Sequence, residues 1–566
     1  MDMQRLTQGH DIHTTPVATD TDHLRFPDRS AGNTVQKGTV PPPCRPRRTG
    51  GPSIRNFCPS VARPARYFHL LFKPFPGNCG VAAFTGPSGR PCRRVPVIFI
   101  RDIQTNEDVA KKPSISKKYP KSARFASIET LYRIQQQGLP VKPVLDGIVG
   151  QCRLTPEDRA LAMQLVYGVL RQRQFLETLI KRLCRHPLAK LSPFILHSLE
   201  IGLFQLFLLD RIPESAAVNE TVNAVKAAGL PQRLQGFVNG ILRESIRQRA
   251  ELPDNSADPE TGEPYLNHPP WLTDRWRRHF GEAEMRRICA ENAREPSLVL
   301  KINPARTSKE RYRSLLDQAG IVHREGLFAP DALVVPGYHG SIPQLPGYDD
   351  GLFLIQDEAT QLAPLLLGPF RQGGCYLDAC AGLGGKTASL LEMEKQLDLR
   401  IFALEPEIRR FGKMAENLHR LHPDNRCERH RCTVQEFAAT GGLSFDGILV
   451  DAPCSGTGVT GRQPDIRWNR REEDIPRYQA MQLDILDKAA ALVSENGILV
   501  YATCSLEPEE NQEVVRHFLA THPRFELTDP APLLPPAAHR LVDNRCFCPR
   551  PGDTIDGFFA ARLLRR

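Results

Sequence analysis

The sequence lacks the features that mark several classes of protein. No apolar run approaches the ~20 residues needed to span a bilayer, and no secretory hydrophobic region follows the N-terminus. The 15 cysteines have no regular disulfide spacing in a chain of 566 residues, which fits a reducing compartment. We therefore predict a cytoplasmic protein of several domains with no membrane partner.

A structural metal site is not indicated either. Cys427, His430 and Cys432 cluster in the sequence, as do Cys546 and Cys548. Neither group makes the paired Cys-x-x-Cys motif of a structural zinc site. We predict that these cysteines are free thiols and that the protein binds no metal.

The basic charge of the chain is concentrated at one end. The net charge is +10, yet residues 1–118 alone contain 19 Lys and Arg against 8 Asp and Glu, together with 15 prolines. The segment has no sustained helical or strand period, so we predict a disordered or non-native extension. It could be a basic arm that binds nucleic acid. We favour an extension from a start codon placed too far upstream, because its composition lacks the bias of a functional tail.

Residues 119–250 have helical periodicity throughout. Thr155 followed by Pro156 is a typical helix start, with acidic residues in the first turn. The stretch 194–209 is apolar on nearly all sides and is predicted to be a central buried helix. We predict an all-α bundle here, followed by a polar linker over residues 251–268.

Residues 269–350 are predicted to form a small α/β subdomain. Trp271 and Trp276 alternate with Arg275 and neighbouring arginines. These aromatic and basic side chains could stack on bases and hold phosphates. They could equally form a helix with one apolar face and one solvated face, which we slightly favour.

Residues 351–566 are predicted to form an α/β domain of the Rossmann-like type. Residues 374–391 read as strand, glycine loop and helix, and Glu405 ends the next strand. The loop has neither the Gly-x-Gly-x-x-Gly spacing of dinucleotide sites nor the Walker spacing of triphosphate sites. A glycine loop with a strand-end acid and no phosphate contact points to S-adenosylmethionine, which has a ribose but no pyrophosphate.

Two further strands each deliver a cysteine at their carboxyl ends, where open α/β sheets bind ligands. One strand ends at Asp451 and leads to Cys454, and the other leads to Cys504. A thiolate that attacks carbon-6 of a pyrimidine makes carbon-5 able to accept a methyl group. Asp451 could stabilise charge at the hydrogen-bonding edge of the base. The residues alone do not establish which cysteine attacks.

Several segments of the chain resemble the RNA cytosine-C5 methyltransferases. They are Asp451-Ala-Pro-Cys-Ser-Gly-Thr-Gly458, Ala502-Thr-Cys-Ser505, Asp378-Ala-Cys-Ala-Gly-Leu-Gly-Gly-Lys386, Pro464-Asp-Ile-Arg-Trp468, Glu507-Pro-Glu-Glu-Asn511 and Asp556-Gly-Phe-Phe559. The helical region resembles NusB-like RNA-binding domains through Tyr167-Gly-Val-Leu-Arg171, Asn219-Glu-Thr-Val222 and Phe237-Val-Asn-Gly-Ile-Leu-Arg243. This pairing of domains is similar to the bacterial RsmB/Sun/Fmu type.

The resemblance implies the Rossmann-like class I methyltransferase fold for residues 351–566. It also implies a reaction and roles for particular residues. It implies a monomer that methylates carbon-5 of a cytosine in small-subunit rRNA, cytosine 967 of 16S rRNA in this type. Cys504 would be the nucleophile and Cys454 would assist release of the product. The donor would be held by Cys380, Ala381, Gly382, Leu383, Gly384, Gly385, Lys386, Glu405, Thr433 and Asp451.

One position departs from the family pattern. The family places an acid near the start of the loop after the third strand, whereas this chain has Cys432 and Thr433 there. The acidic contact to the donor is therefore absent, or it comes from Glu436.

Two alternative functions remain open from the sequence. The protein could methylate a cytosine of tRNA instead of rRNA, or it could be an RNA-binding or antitermination factor without catalytic activity.

Overall fold

The computed structural model describes residues 119–566, apart from the side chains of residues 394–396. The predicted extension over residues 1–118 lies outside the described residues. Within residues 119–566, no helix is long and apolar enough to cross a membrane.

The predicted helical bundle is present. Its helices are α1 Ala123–Gln137, α2 Val141–Cys152, α3 Pro156–Arg171, α4 Arg173–Leu183, α5 Pro193–Leu208, α6 Glu214–Ala227 and α7 Gln232–Arg247. Helix α5 is the centre of the bundle, and every residue from 194 to 206 is buried. The hydroxyl of Thr155 caps α3 by accepting from the backbone N–H of Asp158.

Glycines in the bundle allow close packing between helices. A Cβ at Gly168 of α3 would lie 2.0 Å from the ring of Phe204, and a Cβ at Gly202 would lie 2.6 Å from Leu242. Only glycine leaves room for these neighbours. The glycine of the 167–171 motif is thus explained by packing within the bundle.

The small subdomain carries its own antiparallel sheet. Its elements are α8 Pro270–Phe280, α9 Glu282–Ala293, β1 Leu298–Ile302, α10 Lys309–Gln318, β2 Arg324–Glu325, β3 Ala332–Val335 and β4 Phe353–Ile355. The strand order is β2-β3-β1-β4. Because β4 pairs with β1, this sheet extends a few residues past the predicted boundary at residue 350.

Helix α8 turns Arg275 and Trp276 inward, whereas Trp271 is partly buried and Arg277 and Arg278 are exposed. Trp276 is completely buried, and its indole N–H donates to Glu507 at 3.0 Å. Arg275 donates to Glu507 at 2.8 Å and to Glu509 at 2.7 Å. Packing rather than base stacking therefore explains Trp276 and Arg275.

The third region is an α/β domain built on one large sheet. Its elements are α11 Glu358–Leu362, β5 Cys375–Asp378, α12 Gly385–Leu397, β6 Arg400–Leu404, α13 Ile408–Leu421, β7 Glu428–His430, α14 Val434–Thr440, β8 Phe445–Asp451, α15 Ile466–Asn469, α16 Asp474–Ala491, β9 Val493–Thr503, α17 Gln512–Thr521, β10 Phe525–Thr528, β11 Val542–Asp543, β12 Cys546–Phe547 and β13 Phe559–Arg565.

The sheet has the order β11-β12-β13-β9-β8-β5-β6-β7, with β10 on β13. Strands β7, β6, β5, β8 and β9 are parallel, and β13 is antiparallel to β9. Helices from both faces bury apolar residues of the sheet in two cores. The fold class is the predicted one: an all-α bundle, a small α/β subdomain and an α/β domain of the Rossmann-like type.

The segment of α15 joins the bundle to the α/β domain. Trp468 donates its indole N–H to the carbonyl of Leu170 at 2.8 Å, and Asp465 accepts from the backbone N–H of Val141 at 3.0 Å. The buried guanidinium of Arg467 donates to the carbonyls of Asn267, Asn292 and Thr460. One short helix therefore contacts the bundle, the linker and the small subdomain.

Candidate active site

The two strand-end cysteines meet at the carboxyl edge of the sheet. Strands β8 and β9 are parallel neighbours, so the loops that follow them lie side by side. The Sγ atoms of Cys454 and Cys504 are 3.2 Å apart. Both thiols are free and half-buried, so the sequence prediction that they share one site agrees with their placement.

The surroundings of Cys454 favour its protonated form. Its pKa lies well above the ordinary 9.0, because its sulfur is hydrogen-bonded to Cys504 and because it is buried. The negative charges of Glu510 and Asp451 raise this pKa further. The two sulfurs are within hydrogen-bond distance of each other, and either thiol can donate to the other.

Asp451 is tied to the glycine loop by a lysine. The Nζ of Lys386, at the start of α12, lies 2.5 Å from Oδ2 of Asp451. Burial disfavours the charge of Lys386, but Asp451, Asp378 and Asp357 outweigh burial and raise its pKa. This ion pair joins the cysteine side of the site to the loop after β5, and sequence reasoning did not identify it.

The loop after β5 has a glycine backbone that other residues would not adopt. Gly382 and Gly384 have φ angles of 59° and 84°, which lie in the left-handed region. A Cβ at Gly384 would come within 3.0 Å of Met414. The loop therefore turns tightly before Gly385 starts α12. Leu383, between the two glycines, is 52% exposed.

A buried carboxylate lies beneath this loop. Asp378 ends β5 and is fully buried, and burial raises its pKa to about 6. Its Oδ2 accepts from the hydroxyl of Thr387 at 2.7 Å. Its Oδ1 has no hydrogen-bond partner among the described residues. Such an atom in a native site calls for a ligand or a water.

Glu405 lies where the sequence predicts, directly after β6. Its side chain is buried, and its Oε1 accepts from the backbone N–H of Glu407 at 2.9 Å. Arg410 is 3.7 Å from Oε2. The carboxylate is therefore held in place at the same sheet edge as the glycine loop.

Thr433 is the N-cap of α14 rather than an open contact. It forms a capping box with Glu436, whose carboxylate accepts from the Thr433 backbone N–H at 2.8 Å. Glu436 is thus engaged with the helix end. Cys432, the other residue at the departing position, packs partly against the core.

Sequence reasoning also missed a polar cluster beneath the cysteine loops. Ser455 and Ser505, each directly after a cysteine, both hydrogen-bond to the buried carboxylate of Glu510. The motif 507–511 was noted in the sequence without a role. Its position directly after the second cysteine was the signal that could have identified this cluster.

The cysteine clusters at residues 427–432 and 546–548 were the candidates for a metal site in the sequence. Across residues 119–566, no group of three or more His, Cys, Asp or Glu side chains is placed to hold a metal ion. Cys380 lies in the glycine loop, where burial raises the pKa of its thiol.

Three family models match the chain, and together they cover the three regions. The 16S rRNA methyltransferase RsmB/F model matches residues 365–564, and the NusB family model matches residues 121–247. A ferredoxin-like domain model of RsmF/B-like methyltransferases matches residues 268–339. These limits follow the bundle, the small sheet and the large sheet.

Curated relatives match across almost their whole length. The ribosomal RNA small subunit methyltransferase B of Yersinia enterocolitica is 35% identical over 447 residues, covering 78% of this chain and 98% of that protein. The protein of the same name from Escherichia coli O6:K15:H31 is 33% identical and is covered completely, over 79% of this chain. The crystal structure of PH0851 shares the fold, with a TM-score of 0.62 at 20% identity, over 79% of this chain and 99% of that one. The chain belongs to the RsmB/F family of 16S rRNA methyltransferases.

Proposed function

We propose that the protein transfers a methyl group to carbon-5 of a cytosine in small-subunit rRNA through a covalent adduct with Cys504. The observation that carries this proposal is the 3.2 Å separation of the Cys454 and Cys504 sulfurs, beside the acid Asp451 on the neighbouring strand end. By analogy with this enzyme type, the target is cytosine 967 of 16S rRNA.

The chemistry follows from the low reactivity of carbon-5. The Cys504 thiolate bonds to carbon-6 of the ring, and the displaced electron pair makes carbon-5 nucleophilic. After carbon-5 accepts the methyl group, a base removes the carbon-5 proton. Departure of the Cys504 thiolate then restores the ring, and Cys454 assists this release.

The surroundings of Cys454 support these roles. Cys454 has a raised pKa and hydrogen-bonds to Cys504. A thiol that donates to a neighbouring sulfur stabilises negative charge on that neighbour. Cys504 is therefore the better candidate for the attacking thiolate, and Cys454 for the group that handles a proton.

Asp451 is placed to meet the hydrogen-bonding edge of the base. Lys386 holds its Oδ2, and the side chain remains 30% exposed. A carboxylate fixed in this way can stabilise charge that develops on the ring without reorganising during the reaction.

The loop side of the site fits S-adenosylmethionine, which supplies the methyl group when bound. Gly382 and Gly384 bring backbone close to a ligand, and Glu405 is a fixed carboxylate for ribose hydroxyls. The buried Oδ1 of Asp378 lacks a partner among the described residues, so it can accept from the polar end of the donor. The ammonium group of Lys386 is paired with Asp451. We therefore expect Lys386 to contact the donor only through its backbone, at the start of α12.

Relatives and domain composition support the RNA partner. The curated relatives are named for ribosomal RNA, and the bundle matches the NusB family model, so we assign rRNA binding to it. A free thiolate at the site requires a reducing compartment, so we assign the protein to the cytoplasm.

Bisulfite sequencing of rRNA tests the proposal directly. Unmodified small-subunit rRNA, incubated with the protein and S-adenosylmethionine, should gain protection at one cytosine, and Cys504→Ala should give none. Methylation of tRNA instead would shift the substrate assignment. Absence of transfer to either RNA, with retained RNA binding, would favour a binding factor.

A further inference from the structure

Glu510 is the common anchor of the two cysteine loops. It closes the short 3₁₀ turn Pro508–Glu510 that follows Cys504, and it is fully buried. Burial raises the pKa of its carboxyl, while hydrogen bonds from Ser455 and Ser505 oppose this rise. A buried carboxylate is costly unless it is hydrogen-bonded, so its partners identify what holds it there.

Both oxygens of Glu510 are saturated by donors from the cysteine loops and α16. Oε1 accepts from the Ser455 backbone N–H at 2.8 Å and from the Gln482 amide at 2.9 Å. Oε2 accepts from the Ser505 hydroxyl at 2.6 Å and from the Ser455 hydroxyl. The two serines directly follow Cys454 and Cys504, so one carboxylate connects the two reactive positions.

Further bonds fix the carboxylate and the loops to the sheet. The Tyr501 hydroxyl, on β9, donates to the Glu510 carbonyl at 2.6 Å. Asn511 donates to the Ser505 carbonyl at 2.9 Å and accepts from Thr503 at 2.6 Å. Gln482 also donates to the carbonyl of Pro453 at 3.0 Å, directly before Cys454. The anchor therefore has little freedom to move relative to β9.

We propose that Glu510 is a positioning residue that sets the separation of the Cys454 and Cys504 sulfurs by binding the residue that follows each of them. This inference deepens the proposed function, because a fixed separation matters for a site in which one sulfur attacks and the other assists release. The carboxylate of Glu510 hydrogen-bonds to Ser455 and Ser505, the residues that follow the two cysteines.

The charge of Glu510 acts on the same pair. It is one of the negative charges that keep the Cys454 thiol protonated, after the bond to Cys504 and burial. The other ionisable groups around Cys454 are Asp451, Tyr478 and Tyr501, with Arg470 bound to the Ser455 carbonyl. Removal of the Glu510 charge is therefore expected to make Cys454 easier to ionise.

The sulfur separation can be measured without RNA or methyl donor. Diamide oxidises two neighbouring thiols to a disulfide, and it takes up the two protons and two electrons as it becomes a hydrazine. The Cys454–Cys504 linkage is then quantified by mass spectrometry of the unreduced digest. The wild-type protein should form it readily, since the sulfurs are already in contact.

Three variants separate position from charge. Glu510→Ala removes all four acceptor contacts, and we expect disulfide formation about tenfold slower and kcat about 10²-fold lower, as for a displacement of about 1 Å. Glu510→Gln keeps the shape and should retain the disulfide rate, while alkylation of Cys454 by iodoacetamide shifts to lower pH. Glu513→Gln removes a charge from the adjacent helix without touching either loop, and both readouts should match wild type.

The outcomes decide the proposal independently of the methylation assignment. A folded Glu510→Ala protein with the wild-type disulfide rate would overturn it, whether or not the wild type methylates rRNA. If Glu510→Ala does not fold, Ser505→Ala replaces it, because it deletes one donor to the carboxylate. An unchanged disulfide rate in that variant would equally contradict the proposal, and a slower rate would support it.

Discussion

The two halves of the active site are built in different ways. The cysteine half is held by buried side chains, with Glu510 contacting the residues after both cysteines. The loop half is built mainly from backbone, with tight glycine turns and the exposed Leu383, and one carboxylate oxygen of Asp378 has no hydrogen-bond partner within residues 119–566. The difference matches the roles that we propose for the two halves. Sulfurs that form and break a bond need fixed positions, whereas a donor site must admit and release a ligand in each turnover.

Loss of the Cys504 sulfur should have the largest effect and tests the cysteine half alone. We expect Cys504→Ala to lower kcat/KM by at least about 10⁴-fold, because carbon-5 is not activated without the thiolate. The measurement is transfer of labelled methyl to unmodified rRNA, with denaturing gels to detect a protein–RNA adduct. Retained affinity for the donor would show that the loop half is intact. Normal methylation by this variant would reverse the assigned roles of the two cysteines.

Cys454→Ala should leave attack intact and block release. We expect a covalent rRNA adduct to accumulate while multiple-turnover kcat falls by about 10³-fold. The adduct is detected as a band of reduced mobility on a denaturing gel, and it should depend on Cys504. The double variant Cys454→Ala/Cys504→Ala serves as the control and should give no band. An adduct that does not accumulate would remove Cys454 from the release step.

Asp378→Asn tests the cost of the buried carboxylate in the loop half. Burial raises the pKa of Asp378 from 3.8 to about 6, so between these values the folded protein holds a proton that the unfolded chain has lost. The contribution of this group to stability therefore falls as pH rises through that window. Asparagine removes the cost, and above pH ~6 the variant should gain up to about 3 kcal/mol relative to wild type. Chemical denaturation at pH 4 and pH 7.5 measures this, and an equal difference at both pH values would contradict it.

Lys386→Met breaks the connection between the two halves. Asp451 would lose its ion-pair partner and Asp378 a nearby positive charge. We expect kcat to fall by about 10²-fold, as for loss of one charge-stabilising contact, with the thiol reactivity of Cys504 retained. Lys413→Met, on the exposed surface of α13, is the matched control and should not change kcat. An equal loss in both variants would point to a general effect of charge.

Restoring the family acid should have the smallest effect and concerns the loop half only. Cys432→Asp places a carboxylate where the resemblance to this family implies one, and we expect the KM for S-adenosylmethionine to fall about threefold, as for one added polar contact. The rate constant kcat should stay unchanged, because uniform binding does not alter it. Cys432→Asn is the uncharged control. A KM that does not move would mean that another group already supplies the contact.

Local sequence patterns predicted the fold and the sheet edge at which the candidate site residues lie. Strand ends carry Asp451, Cys454 and Cys504 to one sheet edge because the flanking apolar runs define β8 and β9. Glycine spacing located the loop after β5. These features depend on short stretches whose pattern is visible in the chain itself.

Other features depend on residues that are distant in sequence. The bond between Lys386 and Asp451 spans 65 residues, and the contact between Glu510 and Ser455 spans 55. No periodicity marks such pairs. The inward orientation of Arg275 and Trp276 likewise depends on Glu507, 232 and 231 residues away. Sequence alone also allowed a face that stacks on RNA bases. A base-stacking helix and a packed amphipathic helix place the same residues on one helix, so the pattern did not distinguish them.

The short helix α15 has a consequence for how a target is chosen. It bonds to the bundle through Asp465 and Trp468 and to the linker through Arg467, and it follows closely after Cys454 in the chain. The distance from the bundle to the sulfur pair is thereby set by protein geometry. If the bundle binds RNA as proposed, the enzyme acts as a ruler, and it selects the cytosine that lies at the fixed distance from the feature that the bundle holds.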